Sequence, residues 1–524
     1  MTATSSWAVL RHPLFRGLWL GGFAVNLAVW LQTVGAAWLM TQLTPSPLMV
    51  ALIQTASSLP GVVFGLVGGA LADILDRRKV MMSMLAGMFL AAGLMSGLGY
   101  ALALSPWMLL GLMFLLGTGY ALYVPAFYSV GNDTVPPDEV PAALNLTSVA
   151  FNVARVVGPA LGGAIVAIVG GAGVFALVTF CYLGTFLFLL RWKPVRRTRH
   201  LPPERLLSAM TTGLRYLRHT PEFQKHLLHA SLFMTSGSAI WALLPVLAKE
   251  QLGFAASGYG LLLGCLGVGG VIGAIGGGWL RLRYSANMVI IAAGAIFAAG
   301  CLAIPHTTNV TVFCGLLVAA GMAWVSFVTT INVGIQISQP PWIRARAISL
   351  FALAAYLSMA VGAAVWGGIA SHVGVSNTMF AVAAANIAGL VLIRRYPLRA
   401  HEESQTIPYL EKGEPSVHAN LDPDEGPVLI QVRYQVLPDQ REDFLTAIEQ
   451  LGQARRRRGA RFWRLYRDME VPNCFVERYT IDTWVEHLRQ KERITVADRM
   501  AEDNLRLYLV AGYEPETSHY LAEI

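Results

Sequence analysis

Arg155 is the one clear cation inside a long apolar run of this 524-residue chain. A charge placed there is costly unless it is paired or faces water. It is therefore a candidate for gating or ligand binding, with snorkelling to an interface as the structural alternative. Asp133, Asp138 and Glu139 are its acidic candidates in the preceding loop. No Asp or Glu stands mid-run; Asp73, Asp133 and Glu250 lie near run ends, which weakens a simple carboxylate proton relay. Charges crowd instead just after an apolar run, at Asp73, Asp76, Arg77, Arg78 and Lys79. Asn26, Trp30 and Thr33 share one helical face at i, i+4, i+7 spacing, and Tyr120, Tyr123 and Phe127 are spaced similarly. Each of these residues is equally open to a packing role. The five Cys show neither a disulfide framework nor metal spacing, so no metal or other cofactor is expected. The absence of Gly-x-x-x-x-Gly-Lys-Ser/Thr disfavours ATP-driven chemistry.

These residues sit in an unusually apolar frame. Hydrophobic residues make up 55% of the chain and charged ones 13%, against about 25% charged in an ordinary soluble protein. Residues 1–399 carry a balance of +15, residues 400–425 of −6 and residues 426–524 of −1. The basic excess lies beside apolar runs, so nucleic acid is not an expected partner. Twelve runs of spanning length lie between 16–40 and 376–394. Of the 23 Lys and Arg before residue 400, 21 fall on one side of this zigzag and Lys249 falls on the other. Both termini are thus expected in the cytoplasm, with the lipid bilayer as a partner and a bacterial inner membrane as the location. The basic start does not read as a cleaved signal, because its apolar run is too long. The expected division is a six-helix bundle in 1–195, a central loop in 196–225, a second bundle in 226–399, an acidic linker in 400–425 and an α+β domain in 426–524.

Shifting the sequence by 204 aligns 136–170 with 340–374, with 12 of 35 residues identical. The shared Pro136/Pro340, Pro137/Pro341, Gly158/Gly362, Gly163/Gly367 and Gly170/Gly374 carry most of the signal. Both copies run outward, so the two halves share an orientation, as in transporters that rock two bundles.

Gly69, Leu71, Ala72, Asp73, Arg77 and Arg78 resemble the loop signature of the major facilitator superfamily, with Ile74 and Asp76 departing from it. The resemblance implies a cytoplasmic gate at Gly69, Asp73, Arg77 and Arg78, in which Asp73 pairs with a basic residue of a neighbouring helix. The run Arg155, Gly158, Pro159, Gly162 and Gly163 resembles the motif of drug/proton antiporters, with Ala154 in place of a glycine. That implies export coupled to protons; a packing face is the alternative. In the superfamily, spans 1, 4, 7 and 10 line the cavity. Here they supply Asn26, Trp30, Thr33, Tyr120, Tyr123, Phe127, Thr235, Trp241, Trp324 and Asn332, which suit a bulky amphipathic solute. Asn145, Asn152 and the stretch from Trp342 to Arg346 add a likeness to the transmembrane secretion effector branch, which includes enterobactin exporters and macrolide efflux proteins.

After the Pro-containing linker the periodicity changes. Strands are expected at Val428–Val436, Arg461–Arg467, Cys474–Thr480 and Ser518–Ala522. Helices are expected at Asp439–Arg457 and Asp482–Leu507. The βαββαβ order is that of a split βαβ, ferredoxin-like sandwich and resembles antibiotic biosynthesis monooxygenase-like domains. Those domains pair through their sheets, so a homodimer through the tail is expected. Trp484 and His487 share a helix without an identifiable acid–base partner, and Arg455 to Arg458 reads as a solvated helix end, with anionic lipid contact as the alternative. The chain is therefore expected to be a twelve-helix exporter of a drug, macrolide or siderophore-like molecule. A membrane-tethered monooxygenase and a non-transporting sensor or scaffold are the alternatives.

Overall fold

Proline opens five of the long helices, where its missing N–H costs nothing and its fixed φ suits the first turn. The computed structural model describes residues 6–136, 139–192, 213–399, 406–407, 409, 422 and 425–523. Its helices are α1 (Pro13–Leu43), α2 (Pro47–Ile74), α3 (Arg77–Tyr100), α4 (Pro106–Asp133), α5 (Val140–Arg191), α6 (213–218), α7 (Pro221–Glu250), α8 (Ala256–Arg283), α9 (Ala286–Ala303), α10 (Val310–Ser338), α11 (Pro341–Val373) and α12 (Val375–Arg395). Eleven helices among the described residues are long and apolar enough to cross a membrane. One of them, α5, has 52 residues and at 1.5 Å per residue would run ~78 Å, more than twice a bilayer core.

The backbone of α5 breaks at Gly170, with φ 75° and ψ 173°. The two legs then run in opposite directions along α1. Gly158 meets Trp30 and Gly162 meets Val34 on the way out; Gly35 meets Val174, Gly21 meets Thr185 and Gly17 meets Phe188 on the way back. This one helix therefore holds the fifth and sixth expected spans. The second half repeats the corner at Gly374, φ 83°, between α11 and α12.

The 204-residue register extends beyond the segment that revealed it. Tyr182 donates to Gln32 at 2.8 Å, linking α5 to α1. The shifted positions are Asn386 and Ser236, and Asn386 donates to Ser236 at 3.1 Å, linking α12 to α7. A buried polar pair in an apolar bundle fixes the rotation of one helix against another, because the groups find no other partner there.

The chain divides into two compact units. The first comprises Met1–Pro203, Leu227–Ile331 and Ala352–Pro397. Its fifth and eleventh spans straddle a pseudo-twofold relation. Gly163 of α5 meets Gly260 of α8, and Gly367 of α11 meets Ala51 and Leu48 of α2.

The second unit comprises Glu204–His226, Asn332–Phe351 and Leu398–Ile524. Its tail orders β1 (Val428–Gln435), α13 (Arg441–Arg458), β2 (Arg461–Arg467), β3 (Cys474–Ile481), α14 (Trp484–Glu492), α15 (Val496–Arg506) and β4 (Glu516–Leu521). The sheet order is β2-β3-β1-β4, with every neighbouring pair antiparallel. Alternate residues of β1, Val428, Ile430, Val432 and Tyr434, are buried against Phe444, Ile448 and Leu451 of α13. The single helix expected over Asp482–Leu507 is two helices. Thr495 caps α15 through a reciprocal hydrogen-bond pair with Asp498 and so starts a new helix.

The reading of Arg455 to Arg458 as a solvated helix end is also corrected. Arg455 reaches Glu502 at 3.0 Å and Glu477 at 3.6 Å. Arg456 lies over Trp463, Arg457 reaches Asp498 at 3.3 Å, and Arg458 is only 2% exposed. The acids that match Arg455, Arg457 and Arg458 come from β3 and α15, so their pairing was invisible in the local run of arginines.

Candidate functional site

Spans 1 and 7 end at the side expected to face outward, and their C-termini converge there. The Lys249 ammonium donates to the Thr41 carbonyl in the last turn of α1. A cation in that place offsets the partial negative charge of two helix ends. Next to it Trp38 stacks on Tyr259, with ring centres 5.7 Å apart. A Cβ added to Gly163 would lie 1.9 Å from the Gly260 Cα, so two backbones touch where any side chain would hold them apart. Thr55 donates to the Ala360 carbonyl at 2.8 Å, and Gly61 lies against Tyr356. These contacts all join the first half to the second.

Below this closure lies a cavity of about 30 Å³ lined by Trp30, Thr33, Gln54, Pro159, Trp241 and Tyr259, among others. Four of these were expected from sequence: Trp30, Thr33, Pro159 and Trp241. The ring centres of Trp30 and Trp241 stand 6.1 Å apart, and Trp241 meets Trp324 edge-on at 6.2 Å. Gln54 and Tyr259, on spans 2 and 8, were missed. The polar quartet Gln54, Thr55, Ser57 and Ser58 inside an apolar run was the signal available, with Gln54 donating to Ser58 at 2.9 Å.

Other expected cavity residues are engaged elsewhere. Asn26 donates to its own helix at Gly22 and accepts from Tyr120 at 2.8 Å. Tyr123 and Phe127, also expected at the cavity, are buried, 2% and 7% exposed, and stack on each other at 5.6 Å. Phe127 fills the notch left by Gly22. Thr33 bonds to Val29 of its own helix, while the Thr235 carbonyl accepts from Trp366. Trp324 packs with Phe233 and Phe297. Asn332 accepts from Gln336 and belongs to the second unit.

The expected gate is only partly visible. Gly69 and Asp73 lie in the helical backbone of α2, but the Asp73 side chain falls outside the described residues. Asp76 caps α3, accepting from the Arg78 amide at 2.9 Å. Arg78 donates to the carbonyls of Leu189 and Leu190, both at 2.8 Å, and so closes the C-terminus of α5 within the same half. Arg77 is engaged in a further interaction. Asp138 lies outside the described residues, as does the side chain of Asp133. Glu139 is not a partner of Arg155, because it pairs with Arg11 and with His12 at 2.8 Å. The His12 hydrogen bond, then Arg11, hold the Glu139 carboxyl below its usual range. Arg155 lies ~22 Å along α5 from Val140, about four turns. It shares the stripe of Gly158 and Gly162 that faces α1.

The match to the transmembrane secretion effector family runs from residue 4 to residue 524. The chain belongs to this family. The transporter is similar to the enterobactin exporter EntS of Citrobacter koseri, 27% identical over 399 residues, covering 73% of this chain and 90% of that protein. It is 28% identical to EntS of Shigella flexneri over 401 residues, with the same coverage. Its fold is that of a bacterial homologue of the human lysosomal transporter Spinster, solved inward-facing and unoccupied, with a TM-score of 0.61 at 16% identity over 75% of this chain and 98% of that one. A D-xylose–proton symporter matches at a TM-score of 0.56 and 13% identity, over 72% and 96%. This secretion effector is a multi-pass membrane transporter of the major facilitator type, and its relatives are transporters, not enzymes.

In the tail of the transporter, His487 has a ring neighbour that the sequence did not reveal. His519 of β4 lies 4.9 Å away and Trp484 lies 5.1 Å away. Burial, then His519, hold the His487 imidazolium down to about 4, so it is neutral at pH 7.

Proposed function

We propose that this secretion effector exports a bulky amphipathic small molecule by alternating access. The observation that supports this best is the closure formed by both halves at Gly163 and Gly260, beneath which Trp30 and Trp241 face a neutral, water-sized space that would have to widen to admit a solute. An interface that closes by backbone contact at Gly163 and Gly260 can open again as two rigid bundles rock. Enterobactin-like compounds head the list of solutes to test, because the relatives at 27–28% identity bear that name. Proton exchange belongs to the same reading and rests on the antiporter-like run from Arg155 to Gly163. The gate at Asp73 and Arg77 is its expected counterpart at the other end. The tail is read as an accessory domain of split βαβ, monooxygenase-like type that pairs with a second copy; its βαββαβ order and the β2-β3-β1-β4 sheet favour this.

Cells with and without the protein should differ in retention of a solute panel. Trp241→Ala should lower efflux about tenfold, the size of one lost 1.4 kcal/mol contact. A protonophore at fixed ATP should abolish the gradient; a gradient that survives would favour uniport. No panel member expelled by the wild type would remove the exporter reading.

Orientation is tested separately. Lys and Arg asymmetry favours a cytoplasmic Arg399. A reporter fused after this residue should be active there, and an active periplasmic reporter would reverse the topology.

A further inference from the structure

The second unit contains a cavity of about 340 Å³ that the transport reading does not use. Its wall combines the first turn of α7, the junction of α10 and α11 around Gln339 and Trp342, and the faces of α13 and α15. Its volume falls within the usual range for small-molecule sites. Arg399, Arg457, Arg458 and Arg493 line it against two acids, Glu222 and Asp498.

Both acids are already matched. Asp498 holds Arg457 at 3.3 Å and caps α15, while Glu222 holds Lys225 at 2.7 Å. Arg458 is the exception among the cations. It is 2% exposed, and its Nη2 has no hydrogen-bond partner among the described residues. The nearest carboxylates stand at 3.8 Å from Nε and 4.0 Å from Nη2, beyond hydrogen-bond reach. A buried guanidinium with an idle donor is costly and is usually completed by an anion. Two further orphans line the same wall: Trp342 Nε1, a donor, and Gln339 Oε1, an acceptor on a residue 1% exposed. The Trp342 ring meets Tyr216 edge-on at 5.6 Å, and Arg493 lies over it at 4.9 Å.

We propose that this cavity binds an aromatic hydroxy acid. The carboxylate accepts from Arg458 and Trp342, the ring hydroxyl donates to Gln339, and the aromatic ring lies among Tyr216, Trp342 and Arg493. The site is separate from the Trp30–Trp241 cavity and stands whether or not export is the activity.

Calorimetric titration of the full chain in lipid nanodiscs with 6-hydroxy-2-naphthoate, whose hydroxyl is too far from the carboxylate to bond to it, provides the test. Saturable binding is expected, at least tenfold weaker for 2-naphthol, which lacks the acid, and for inorganic phosphate, which lacks the ring. Trp342→Phe keeps a ring and removes the donor; it should weaken the naphthoate about tenfold. Gln339→Leu should act similarly, while Arg458→Met should abolish binding. If Arg458→Met fails to fold, the two milder variants decide the matter alone. Absence of saturable binding in the wild type, or unchanged affinity in both Trp342→Phe and Gln339→Leu, would overturn the site. Equal affinity for phosphate or 2-naphthol would overturn the proposed ligand class.

Discussion

Gly163→Val is expected to reduce transport by at least tenfold while leaving membrane insertion intact. The added side chain would occupy the place of the Gly260 backbone, since a Cβ there already falls 1.9 Å from Cα and 2.9 Å from N. Backbone cannot rotate away as a side chain can, so α5 and α8 must separate. The loss should therefore come from the closed state: the bundle can no longer seal beside Lys249 and Thr41. Cysteine labelling at Thr41 measures this directly, and reactivity should rise in the variant. Gly65→Val is the control, because a Cβ at Gly65 meets nothing within 4 Å. Normal export by Gly163→Val with an unlabelled Thr41→Cys would show that this contact does not gate the path.

Glu477→Ala should unfold the tail. Glu477 is fully buried and accepts from Tyr434 at 2.8 Å and Trp463 at 2.7 Å, with Arg455 at 3.6 Å. Removing it leaves Arg455 with Glu502 alone, and leaves the buried Tyr434 hydroxyl and Trp463 indole N–H without their acceptor, at about 1–3 kcal/mol each. For a domain of this size that corresponds to a fall in Tm of ~15–30 °C. Circular dichroism of residues 426–524 reads it, with Glu477→Gln as the milder variant that keeps the acceptor. Sedimentation of the wild-type fragment reports pairing at the same time. A Tm that falls by less than a few degrees would mean that the network around Glu477 is dispensable.

The membrane part was legible in the sequence because bilayer length and periodicity both act along the chain. The repeat was legible at Gly158 and Gly163, where a Cβ would meet a neighbouring helix, and at Gly170, whose φ of 75° suits glycine. Gly163 was visible as part of a motif, but its partner Gly260 was not, since nothing local marks which of 51 glycines touches another. Arg78 was read as gate chemistry and Asp76 as a departure from the signature; the structure places both at helix ends, a role that depends on where α3 starts and α5 stops. The tail strands alternate and were read almost to the residue. Its ion network was not, because Arg455 finds Glu477 and Glu502 only once sheet and helices are stacked.

At Gly170 and Gly374 the chain reverses on a single residue. Each half therefore has one corner without a loop, where the polypeptide leaves and re-enters the bilayer as one hairpin. A nascent chain would hand such a pair to the insertion machinery together, not leg by leg. The same corners offer nothing for a protease, an antibody or an inserted tag to grip. At the same end of the molecule, chain available for such handling lies at 44–46, 101–105, 251–255 and 307–309, between α1 and α2, α3 and α4, α7 and α8, and α9 and α10.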